Sequence, residues 1–165
     1  MSSPAISRTT ERIQDLTLGS PITRAGYEYW QRLCRARQMP AWSDMAPREF
    51  SALTRHVCFV AVIPQRQDYL FTLVGDEIAT SRGVALMHRY LSEVSTELGD
   101  VAEGLKQALD DVCHTRSPYA CQSWLNVAST GQRLRHRETV FLPLGKTDES
   151  VDQVFVVDAP FVQPG

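Results

Sequence analysis

Arg137-Glu-Thr-Val-Phe-Leu-Pro-Leu-Gly-Lys-Thr-Asp-Glu-Ser-Val-Asp-Gln-Val-Phe-Val-Val157 holds two apolar runs, 139–144 and 151–157, on either side of the polar segment 145–150. Val and Phe dominate the runs, and both favour a pleated, half-buried surface. Gly, Asp and Ser in the link tolerate turn conformations. The stretch therefore reads as a β-hairpin. A hairpin is marginal alone in water, so the rest of the chain must supply further strands and a cover.

Just upstream, 119–128 reads as a strand, Thr130-Gly-Gln132 as a turn, and 133–142 as the strand leading into the hairpin. Much earlier, Val57-Cys-Phe-Val-Ala-Val-Ile63 is apolar on both faces and bounded by Pro64. It reads as a central strand. A polar turn at 65–68 joins it to a second strand, 69–74. Between these groups lie helical patterns. Asp76 is a candidate N-cap for 77–82, with Gly83 as its stop. Residues 84–94 form another short helix or irregular connector. Val101, Leu105, Leu109 and Val112 recur every three or four positions after the capping-box spacing Asp100-Val-Ala-Glu103, which predicts a helix over 101–116.

Ser20-Pro21 predicts the start of a leading helix over 20–38, ending before Pro40. Pro47 opens a short helix carrying Phe50 and Leu53. Residues 1–19 are rich in Ser and Thr and read as a mobile tail. The expected architecture is α+β: one domain, 20–160, with a five-stranded antiparallel sheet, helices on one face and an N-terminal helix.

The 165 residues suffice for one domain with a real core. A net charge of −2 offers no general field for nucleic acid, and none is expected as a partner. No apolar run approaches a membrane span, and the first twenty residues lack the pattern of a signal peptide. Cys34, Cys58, Cys113 and Cys121 form no CxxC pair, so reduced thiols in a cytoplasm are the expectation.

Trp30, Leu33 and Arg37-Gln-Met-Pro40 are followed by Pro47 and Phe50, then by Tyr69, Leu73-Val-Gly75, Ile78 and Gly83, and finally by Leu142-Pro-Leu144. In order and spacing this resembles a PAS-like family found largely in alphaproteobacteria and long described as a domain of unknown function. Its members carry a Trp and an R-x-x-P element in the leading helix, an R-x-x-G-T element after the second strand and an LPL element in the fourth. The resemblance covers about 26–157. Asp76 stands where the family usually has Thr, and Thr72 where it often has Arg. The resemblance implies a PAS fold and a cytoplasmic sensory or interaction module, often dimeric. Such a module holds a small ligand or cofactor between sheet and helices and acts on a second signalling protein. It transfers no catalytic residues.

On the residues themselves, Trp124 on the third strand, Met87, His88 and Tyr90 between the helices, and His136 on the fourth strand are the candidate lining of a pocket for a small organic ligand. Tyr27, Trp30 and Leu33 form the aromatic stripe of the leading helix, a candidate surface for a homodimer or partner. Strand alternation places Arg133, Arg135 and Arg137 on one face, a candidate surface for an anion or partner. No cofactor is assigned. His114 follows the apolar stripe of its helix too loosely to read as a haem ligand. No cysteine lies in the Asn-Cys-Arg setting of flavin photosensors. No G-x-S-x-G turn, phosphate loop or dinucleotide spacing is present, so catalysis is not expected. Three functions follow in order: a ligand-binding sensor, a ligand-free dimerisation or partner-binding module, and an enzyme.

Overall fold

The computed structural model describes residues 5–161. The elements are β1 (Ile6–Arg12), α1 (Pro21–Cys34), β2 (Val57–Ile63), β3 (Asp68–Val74), α2 (Asp76–Arg82), α3 (Leu91–Leu98), α4 (Asp100–Thr115), β4 (Tyr119–Val127), β5 (Gln132–Leu144) and β6 (Gln153–Pro160). Short 3-10 segments lie at Trp42–Asp44, Pro47–His56 and Pro64–Arg66. The six strands form one sheet in the order β1-β4-β5-β6-β2-β3, antiparallel throughout. The early hairpin, β2–β3, and the late meander, β4–β5–β6, meet where Val57–Ala61 pairs with Gln153–Val157.

The expected antiparallel architecture is present, with six strands rather than five. The extra strand is β1, in the stretch the sequence assigns to a mobile tail. It pairs with β4 from Ile6↔Val127 to Arg12↔Cys121, and all seven of its side chains are exposed. Backbone pairing to a free sheet edge holds it there, and such pairing leaves no hydrophobic pattern in the sequence.

Both faces of the sheet are covered, because β2 and β6 are apolar on both. The outer face carries α1 and the Pro47–His56 segment. Phe59 and Phe155 stack there at 5.2 Å, with Phe50 across them at 6.0 and 5.8 Å. Gly26 lets α1 approach β6, since a Cβ at that position would fall 2.6 Å from Val157 Cγ2. The N-terminus of α1 is fixed twice. Ser20 Oγ accepts from the Ile22 amide at 3.2 Å. The buried Glu138 carboxylate accepts from the Gly19 and Ser20 amides at 2.8 and 2.9 Å and from the Thr23 hydroxyl. A carboxylate there also suits the positive end of the helix.

The leading helix ends at Cys34, four residues before the expected 38. Arg35 takes a positive φ of 53°, and Arg37 then donates to Gly145 O at 2.7 Å while Gln38 donates to Arg116 O at 3.0 Å. These tertiary bonds draw 35–39 off the helical path and bury Met39 completely. Of the two forms expected over 84–94, a short helix or an irregular connector, 84–90 takes the connector, a loop bonded to β3 with Phe71 N–H donating to Arg89 O and His88 N–H to Phe71 O, and α3 begins at Leu91.

Candidate functional site

Strand alternation on β4 sends Tyr119, Cys121 and Ser123 to the inner face, under α2, α3 and α4. The inner face and these helices enclose a cavity of about 210 Å³. Its sheet floor is Val60, Phe71, Phe141 and Val156. Its helical wall is Ile78, Leu98, Val101 and Leu105, with Leu86 from the loop after α2. Its exposed border residues come from β1 (Arg8, Thr10, Arg12) and α4 (Asp100, Gly104, Gln107), so it opens between those two elements. Arg12 bridges that gap to Asp111 at 3.4 Å and lies 4.5 Å over the Tyr119 ring.

One end of the cavity is charged. Arg137 donates to both oxygens of Glu77 at 3.0 and 2.7 Å and, through Nε, to Asp158 at 3.1 Å. Arg82 and the Thr139 hydroxyl also donate to Asp158, each at 3.1 Å. His56 Nδ1 lies 3.3 Å from Glu77 without hydrogen-bond geometry. Burial opposes charge on Glu77, but Arg137 and His56 hold its carboxyl below the ordinary range. Burial likewise opposes charge on Arg137, and Glu77 with Asp158 raises its guanidinium above the ordinary value. The cavity thiols are protonated at neutral pH: burial, then Asp158, pushes Cys121 up to about 12 and Cys58 higher still. That denies the site a thiolate nucleophile. Among the described residues no cluster of three metal-ligating side chains occurs.

The sequence places the cavity correctly between sheet and helices, and its proposed lining residues lie elsewhere. Met87 is 47% exposed, and His88 is exposed with a φ of 64°. Tyr90 lies under the Arg66 guanidinium at 3.7 Å. All three are in or beside the loop before α3, whose Leu86 is the residue that lines the cavity. Trp124 is on the outer face, because alternation on β4 gives the inner face to its neighbours. Its Nε1 donates to Glu11 at 3.2 Å, and Arg133 and Arg135 lie 4.3 and 5.5 Å from its ring. His136 is half-buried outside the cavity, with Nε2 3.5 Å from Arg8. Neither His88 nor His114 borders the cavity.

The three arginines of β5 do not share a face. A β-bulge opposite Ser123 and Trp124 pairs Trp124 with Arg135 and Ser123 with Arg137, leaving His136 as the extra residue. Arg133 and Arg135 stay outside, and Arg137 turns into the cavity wall. On α1, Trp30 is 5% exposed and donates to Pro143 O at 2.8 Å, while Tyr27 and Leu33 are half-buried against the core. The residues that sequence reasoning missed are Arg8, Glu77, Arg82 and Asp158. Asp158 carries a signal: a lone acid inside the apolar run Val154-Phe-Val-Val-Asp-Ala159 implies a buried partner.

A family model described as a PAS domain matches residues 18–157. The chain therefore belongs to the PAS domain family, a class of sensory and signalling modules. No curated protein matches it. Among solved structures it is similar to an RNA-binding light-oxygen-voltage receptor, with 12% identity and a TM-score of 0.45 over 96% of this chain. The chain spans 40% of that receptor's length. No helix among the described residues is long and apolar enough to cross a membrane.

Proposed function

We propose that the unit expected over 20–160, extended at its N-terminus to include β1, forms a single cytoplasmic sensor domain that binds a small organic molecule in the cavity between the inner sheet face and α2–α4. Binding is read by a second signalling protein or a second copy of the chain. The observation that carries this is the contrast between the two faces of the sheet. The outer face is filled by interlocked aromatic rings, as protein interiors are. The inner face keeps about 210 Å³ between apolar walls and a set of buried charges. An unfilled space forfeits packing contacts, and apolar cavities of about 150 Å³ take up molecules such as benzene. An apolar wall with few convergent polar groups is the make-up of a small-molecule site.

A ligand acts only through differential affinity for two conformations. Two of the elements that border the cavity, β1 and α4, are joined across the opening by the Arg12–Asp111 pair. Equilibrium dialysis against a small-molecule extract tests the reading, with the wild type beside Val101→Trp, which fills the cavity from α4. The expected result is one or a few compounds enriched by the wild type and not by the variant. Equal retention by both contradicts binding in this cavity. Retention by neither favours a ligand-free interaction module.

A further inference from the structure

Four arginines border the cavity, and three have carboxylate partners. Arg137 is held by Glu77 and Asp158, Arg82 by Asp158, and Arg12 by Asp111. Arg8 has none among the described residues; its nearest polar contact is His136 Nε2 at 3.5 Å. Burial, then Arg82 and Arg137, lowers the Arg8 guanidinium from its ordinary value. Burial, then Arg8 and Arg137, lowers His136, which disfavours a second cation there. Three guanidiniums at this end thus face two carboxylates, Glu77 and Asp158, leaving one positive charge over. Asp100 also borders the cavity, from the first turn of α4, and pairs with none of these arginines.

We infer that the cavity takes a small organic acid, its carboxylate bound by Arg8 and its apolar body lying along Ile78, Leu98, Leu105 and Phe141. This rests on the ligand-binding reading above and narrows it to a chemical class. Arg8, the cavity guanidinium with no carboxylate partner among the described residues, is the group that recognises a single negative charge. A dianionic phosphate would leave a negative charge uncompensated beside Asp158 and Glu77. Guanidinium matches carboxylate geometry with two parallel hydrogen bonds. Arg8 projects from β1, an edge strand held by backbone pairing to β4 and by exposed side-chain contacts such as Glu11–Arg133 and Arg12–Asp111. An acid bound to Arg8 therefore ties β1 to the helices across the opening, and binding is transmitted to the N-terminal edge of the sheet.

The test uses matched probes of one skeleton, phenylacetate, 2-phenylethanol and 2-phenylethylamine, with hexanoate, 1-hexanol and hexylamine as a second set. They are titrated into the 15N-labelled full chain at up to millimolar concentration. The acids are expected to shift amides of β1, α2 and β4, and to bind at least about tenfold more tightly than the alcohols, as a charge-assisted hydrogen bond gives. The amines are expected not to bind. Arg8→Gln, on an exposed strand position, should keep the wild-type spectrum and lose that advantage. Alcohols binding as tightly as acids, or Arg8→Gln leaving acid affinity unchanged, overturns the inference while sparing the ligand-binding reading. No shift at the cavity with any probe contradicts both.

Discussion

Arg137 donates to two carboxylates from a position that is 4% exposed, so its removal takes both hydrogen bonds from Glu77 and leaves Asp158 to Arg82 and Thr139 alone. Breaking a buried pair by deleting one partner typically costs about 3–5 kcal/mol. Arg137→Met should cost that much at neutral pH in urea denaturation. The pH dependence has a definite sign. Glu77 is held below its ordinary value near 4.5, so its ion pair stabilises the fold above that pH and is lost as the carboxyl protonates in acid. The gap between wild type and Arg137→Met should therefore narrow as pH falls below about 4.5. A gap that stays constant, or a variant as stable as wild type, would contradict the network. In the sequence Arg137 is simply the third of three alternating arginines. What hid its role is the bulge at His136, which changes the phase of alternation and depends on the partner strand rather than on local residue type. The outward placement of Trp124 is hidden for a related reason. Its strand has no strong apolar alternation to say which side faces the helices, and all of Cys121–Val127 is half-buried.

At the scale of elements, the signals that could be read were those with local physics. Ser20-Pro21 marks the start of α1, Gly83 ends α2 in the left-handed conformation, and the three- and four-residue spacing of Leu105, Leu109 and Val112 marks α4. The end of α1 and the strand β1 depended on tertiary partners. β1 is the informative case. It buries no side chain, so its contribution is a set of edge hydrogen bonds, each of about 0.5–1.5 kcal/mol net, with exposed pairs such as Arg12–Asp111 and Glu11–Arg133 that add about 0–1 kcal/mol each, all offset by the ordering of the strand. A chain lacking residues 1–12 should fold with the same sheet. Its thermal midpoint should fall by no more than a few degrees, and hydrogen exchange should quicken along β4. An unfolded truncated chain would show that β1 belongs to the core, against its complete exposure.

For the molecule as a whole, the sequence carries the topology because an early hairpin and a late meander, straddling a helical block, have one short-connection solution. Two strands apolar on both faces also imply two covered faces, and the structure has them: a dense aromatic layer under α1 and a looser one under α2–α4. That asymmetry separates support from function. The outer layer fixes the sheet through Phe50, Phe59, Phe155 and Trp30. The inner layer leaves a space of about 210 Å³, the one proposed above to take a ligand. The identities of these residues were not readable from sequence because Arg8 on β1, Glu77 and Arg82 on α2, and Asp158 on β6 lie far apart in the chain and converge only in the folded sheet.

Native mass spectrometry of the freshly purified full chain, read intact and then after denaturation, addresses the central claim directly. An occupied cavity predicts native ions heavier than the polypeptide by the mass of one small organic molecule per chain, released on denaturation and absent from Val101→Trp. Native ions at the bare polypeptide mass in both proteins, with no compound in the denatured extract, would contradict a ligand held in the cavity.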